Sequence, residues 1–144
     1  MSKKDVTQRA DIENIVARFY QVMLNDPIIG FIFTDVAKIH LESHLPIIVD
    51  FWHDSLFLQG RIGERKYTNN TLQKHLEINA KMPLKPGHFT RWLFLFDQAV
   101  LHNHEGVNAD RMLRRAEVVA KSISASISEQ KRNDMNLVLP KDSQ

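Results

Sequence analysis

The chain has 144 residues, 43% apolar and 25% charged, with a net charge of +2, enough to bury a core in one domain and too evenly charged to offer the basic stripe that nucleic acid requires. Zero cysteines exclude disulfides, thiolate-bound metals, cysteine nucleophiles and haem attached through C-x-x-C-H. No apolar run reaches the roughly 18 to 20 residues that span a bilayer, and MSKKDVTQRADIEN lacks the apolar stretch of a secretory signal, so a cytoplasmic protein is expected, with neither membrane nor nucleic acid as partner.

Few glycines and prolines interrupt the chain, and apolar residues recur at helical spacing, which predicts an all-α domain. The first helix carries Ile12, Ile15, Val16, Phe19 and Val22 or Met23 on its buried face and ends near Asn25-Asp26-Pro27, because proline disfavours helix at the residue before it. The turn PIIGFIFTD leads through Phe33 to a second helix with His44, Ile47 or Ile48, Phe51 or Trp52, and Ser55 along one side. Pro46 fits only the first turn of a helix, which predicts that the regular helix begins close to His44.

After QGRIGERKYTNN comes TLQKHLEIN, residues 71 to 79, with about eight residues able to be helical before Lys81-Met82-Pro83. A helix so short is marginal alone, and its apolar residues need something large to pack against. A further helix starts at Pro86-Gly87 and presents Phe89, Trp92, Phe96 and Val100 on one face. Asn108 reads as the cap of a last helix whose stripe is Met112, Ala116, Val119, Ile123 and Ile127. The domain is expected over residues 8–128, with an N-terminal extension at 1–7 and a polar, loosely attached tail at 129–144.

No G-x-S-x-G elbow and no phosphate-binding glycine loop occurs, so hydrolase and nucleotide-enzyme readings lose ground. His40 and His44 stand four apart, at metal-ligand spacing on a helix. A non-haem site using His40, His44 and His75 with Glu42 or Asp54 is therefore one alternative, and a helical module in which Tyr20, Trp92 and His75 are only core is another. His88, His102 and His104 lie in or beside loops, where a surface role is ordinary, and His53 is expected on a solvated face.

Taken in order, FY at 19 and 20, Phe33, His44, FW at 51 and 52, KHL at 74 to 76 and WLFLF at 92 to 96 form a familiar set, with thirteen residues from Tyr20 to Phe33 and seventeen from His75 to Trp92. Over roughly residues 8 to 128 the chain resembles a truncated haemoglobin, and more narrowly the third group of that family. The resemblance implies two antiparallel helix pairs crossed over one another around haem b, with the proximal helix reduced to a turn or so inside a long loop. It implies His75 as the iron ligand, Tyr20, Trp92 and His44 on the ligand side, and Phe33 flat on the porphyrin. Ile48, Leu72, Leu76, Ile78, Phe89, Leu93 and Phe96 would form its apolar wall, with Lys74, Arg91 and Lys66 or Arg65 at the propionates. Oxygen, nitric oxide, carbon monoxide or peroxide are the implied ligands. Redox chemistry is favoured over bulk oxygen transport or storage, with an unidentified reductase and a possible dioxygenase or peroxidase activity. Pro46 departs from the family pattern just after the distal His.

Overall fold

The computed structural model describes residues 3–38, 40–58 and 64–138, with backbone alone at 36, 64–72, 131 and 133–138. Five α-helices follow in order: α1 (Arg9–Leu24), α2 (Leu41–Phe57), α3 (Glu64–Lys81), α4 (Pro86–Leu101) and α5 (Val107–Val138), with a π-helical turn at Ile32–Val36 between α1 and α2. Helix α1 packs on α2 and on α4, and α4 packs on α5, giving two helix pairs laid across one another. No described helix is long and apolar enough to cross a membrane.

The apolar stripe read from the sequence is the face α1 buries: Ile12, Ile15, Val16, Phe19, Tyr20 and Met23 are inside, whereas Val22 is exposed. In α5 the buried positions are Ala109, Met112, Ala116, Ala120, Ile123 and Ile127, with Val119, expected on this stripe, only part-buried. Fully burying a side chain of Val, Leu or Phe size stabilises by about 1.5–3 kcal/mol, so these stripes hold the pairs together.

Three local expectations give way. Helix α2 starts at Leu41 and passes through Pro46; the missing N–H leaves one carbonyl without its intrahelical partner, that of Glu42, whose side chain is exposed to water. Helix α3 is 18 residues long, where the residues alone predicted about eight and the resemblance implied a turn or so. From Glu64 to Lys81 there is no Gly or Pro, and Glu, Arg, Lys, Gln and Leu are good helix formers, so residues 64–70 of the polar stretch belong to the helix instead of preceding it. Helix α5 continues to Val138, past the domain end expected at 128.

The N-terminal segment is part of the fold. Val6 is fully buried, and Asp5 accepts hydrogen bonds from the backbone N–H of Asn108 at 3.0 Å and of Ala109 at 2.9 Å. Asp5 therefore caps α5, the role expected of Asn108, whose side-chain amide instead donates to the Val6 carbonyl at 2.7 Å. Gly106 has φ +139° and sits where any Cβ would strike Asp5, so this chain crossing needs glycine. His104, expected at the surface, is buried beside it, with Nδ1 3.2 Å from the Lys4 carbonyl.

Candidate functional site

Tyr20 enters the interior from the last turns of α1, and His44 lies in the first turn of α2. Tyr20 Oη stands 2.7 Å from His44 Nε2, with the rings edge to face at 5.3 Å. Burial pushes the Tyr20 hydroxyl well above the usual phenol range, so it keeps its proton. Burial also holds His44 below its ordinary value, helped by the nearby charges of Lys74 and His75 on α3, and the positive end of the α2 dipole acts in the same sense. A neutral imidazole against a protonated phenol has two arrangements: Tyr20 donates to Nε2, or Nε2–H donates to the phenol oxygen and leaves the phenol proton free to point elsewhere.

Helix α3, which carries Lys74 and His75, packs against α2, which carries His44. The His75 ring is half-buried and lies 6.4 Å from the Phe89 ring. Phe33, Ile48, Ile78, Trp92 and Leu93 pack against the core yet stay only part-buried, while Leu76 and Phe89 are half-buried and Lys74 is exposed. Trp92 and Tyr20 share the wall of an apolar cavity of about 280 Å³, completed by Phe19, Ile48, Phe51 and Phe96 with Val119 and Ile123 of α5.

Two expected wall or rim residues also make contacts that the sequence did not suggest. Phe96 is almost fully buried, stacked between Trp92 and Trp52 at centroid distances of 5.4 and 5.1 Å, because α4 turns it toward α1 and α2. The Arg91 guanidinium, expected at a propionate, is bound by Asp26 at 2.6 and 3.1 Å and lies over the Phe94 ring. Asp26 is buried and also accepts from the N–H groups of Ile28 and Ile29; Arg91 and these amides hold its carboxyl below the usual range. A buried carboxylate requires such a partner. The side chains of Leu72, Lys66 and Arg65 lie outside the described residues.

Sequence reasoning missed Asp26 and Trp52 as organisers of this region. Asp before Pro at a helix end is the signal for the first, since such a carboxylate bonds the following turn. Gly30 completes that turn, placed so close to the Leu24 carbonyl, 2.7 Å from where a Cβ would stand, that a side chain would displace it, and the chain so turned delivers Phe33. For Trp52 only the FW pair hinted at burial.

A crystal structure of a group III truncated haemoglobin from Campylobacter jejuni matches this structure with a TM-score of 0.72, over 88% of this chain and 95% of that one, at 22% identity. The chain has the fold of a truncated haemoglobin. No protein-family model matches the sequence, and neither does any curated protein. The truncated-haemoglobin fold is what the ordered motif set implied, now supported by the whole course of the backbone.

The residues present fit a haem. Its iron would need one protein ligand on the proximal side, and a half-buried histidine beside Phe89 is of the right chemistry; the part-buried apolar side chains of α2, α3 and α4 are of the kind that a porphyrin could cover. A multi-ligand metal cage is a poorer fit, since among the described residues no three His, Asp or Glu side chains converge, and His40 is exposed at the N-cap of α2.

Proposed function

We propose that this protein binds haem b through His75 and uses the Tyr20, His44 and Trp92 side to hold a diatomic or peroxide ligand, for redox chemistry on oxygen, nitric oxide or peroxide. The observation that carries the proposal is the Tyr20–His44 hydrogen bond, with His44 on a helix that packs against the His75 helix, within a truncated-haemoglobin fold. Haem supplies an iron that can bind such ligands and pass them electron density.

The chain's own groups then decide what happens to the ligand. A ligand that gains negative charge is held by aimed donors. Tyr20 O–H is one donor when His44 takes the tautomer with Nε2–H, and Trp92 N–H, which only donates, is a second on the same cavity wall. His44 sits at a helix start with room to swing, so it acts as a gate: turned in, it engages Tyr20; turned out, it opens the side facing solvent. Ile48, one turn further along α2, narrows the same channel. Phe33, Ile78, Phe89 and Leu93 exclude water and clamp the porphyrin, and Lys74, exposed on α3, would meet a propionate.

Hydrogen bonds to a charged partner contribute about 1.5–3 kcal/mol each. Two such donors make release slow, which suits a holder that reacts more than a carrier that delivers, and the proposal therefore includes a reductase to return the iron to its ferrous state. The test is spectroscopic. The purified chain reconstituted with haem is expected to show a Soret band that shifts on adding carbon monoxide, with most of the haem lost in His75→Ala. A haem-free, colourless protein with unchanged helicity after reconstitution would overturn it. Rapid oxygen release, unaffected by Tyr20→Phe, would favour simple oxygen binding or storage.

A further inference from the structure

Aromatic rings form an unbroken array through the core. Tyr20 meets Phe19 edge-on at 5.3 Å, and Phe19 meets Trp92 and Phe96 edge-on at 5.6 and 5.4 Å. Phe96 lies nearly parallel to Trp92, at 6°, and to Trp52, at 19°, so the chain's two tryptophans are joined through one sandwiched ring. One end of the array carries a phenol 2.7 Å from an imidazole nitrogen. Core packing accounts for burying these side chains, but aromatic pairs pack edge-on as readily as stacked, and packing alone does not call for a base on the phenol.

We propose that this array is a one-electron store: the tryptophan stack reduces a strong oxidant formed in the pocket from a hydroperoxide, and Tyr20, with His44 as its proton acceptor, refills the stack and holds the resulting hole. Trp92 gives one electron to the oxidant. Tyr20 then loses one electron to the oxidised stack through Phe19 while its O–H bond breaks, and the proton crosses to His44 Nε2, giving a neutral phenoxyl radical and an imidazolium. An electron from a one-electron reductant of the enediol or phenol class, together with the proton returned by His44, restores Tyr20. An oxidised phenol is a very strong acid, so even an imidazole of lowered basicity takes its proton. A tyrosine buried from water has no other acceptor at this distance among the contacts it makes.

The inference rests on the haem reading only for the source of the oxidant, and its test avoids haem. The full chain is mixed with a photogenerated ruthenium(III) polypyridyl oxidant, and the radicals are followed by electron paramagnetic resonance in protein carrying ring-deuterated tyrosine or tryptophan. A tryptophanyl signal followed by a tyrosyl signal is expected. The tyrosyl signal is lost in Tyr20→Phe and kept in Tyr67→Phe, the chain's other tyrosine. It forms about tenfold more slowly in His44→Leu, which removes its proton acceptor, a factor of the size one hydrogen bond supplies. Trp52→Phe, which keeps a ring in the stack and so preserves packing, shortens the tryptophanyl lifetime. A tyrosyl signal that survives Tyr20→Phe, or a tryptophanyl lifetime unchanged in a folded Trp52→Phe protein, overturns the store and leaves haem binding standing; a protein that takes up no haem but shows the radical sequence overturns the source of the oxidant alone.

Discussion

Replacing Tyr20 by Phe removes one oxygen atom from the site and tests how the Tyr20–His44 bond is used. The lost bond is between neutral groups, worth about 1 ± 0.5 kcal/mol; His44 is only half-buried and regains water, so the stability loss belongs at the lower end, near 0.5–1 kcal/mol. The ligand kinetics carry more information. Losing a donor to a charged ligand, at about 1.5–3 kcal/mol, speeds oxygen release by roughly 12- to 150-fold at 1.4 kcal/mol per decade. In the native protein, though, a ligand must first displace His44 from the phenol proton, at about 1 kcal/mol, so Tyr20→Phe also speeds binding by up to about fivefold. Both rates rise, and the affinity falls by less than the release rate rises. Stopped-flow mixing of the ferrous haem-loaded protein with oxygen, and displacement by carbon monoxide, gives the two rates separately. Release unchanged within about twofold in a variant with the native Soret band would refute the donor role, and faster release with unchanged binding would refute the His44 latch.

The remaining expectations concern the frame and its protons. Asp5→Ala leaves the Asn108 and Ala109 amides without their cap and is expected to lower unfolding stability by about 1–2 kcal/mol, read as a lower urea midpoint with unchanged slope. Because His44 and His88 have lowered pKa values in the folded state, the unfolded chain binds more protons just below their ordinary value of 6.5, so stability is full above that pH and falls on acidification through it. His44→Gln should flatten that dependence between neutral pH and about 5, checked by urea unfolding at each pH; an equally steep dependence in His44→Gln would assign it elsewhere. Hydrogen exchange should find residues 73–81 of α3 less protected before haem loading than after, since that helix is largely polar and gains an apolar face and an iron bond only with the cofactor.

Periodicity made the helices legible where one face is apolar over several turns, as in α1 and α4. It underestimated α3 because the polar run from Glu64 carries no stripe: intrinsic propensity, not burial, extends that helix. Asn108 was misjudged as a cap because capping patterns are read locally, whereas the acceptor, Asp5, arrives from the other end of the chain. The same limit applies to the candidate site. Tyr20, His44 and His75 were visible as residue types at suggestive spacings, and the fold brings the first two into contact. Arg91 was assigned from its charge and its nearness in sequence; its partner, Asp26, is fixed by the need of a buried carboxylate 65 positions away, which local patterns do not pair with it. Phe96 shares a helical stripe with Trp92, but the depth to which each sinks depends on how closely α4 approaches α1 and α2.

The depth of Phe96 has a mechanical consequence for the ligand side. Trp92 is held by face contact with Phe96 and by the edge of Phe19, and Phe19 in turn abuts Tyr20, so both donors hang on one interlocked group of rings. Side chains in such a group do not change rotamer singly without opening a void. His44 is the exception: it is part-exposed, near a helix start, and its one described hydrogen bond through the ring is to Tyr20. On the proposed haem reading, a ligand arriving beside these groups would meet two fixed groups and one movable one, and the movable one would set access while the fixed pair set retention. On that division His44→Leu should raise the binding rate more than the release rate, the opposite weighting to Tyr20→Phe, and a pair of variants with the same weighting would mean that all three side chains move together.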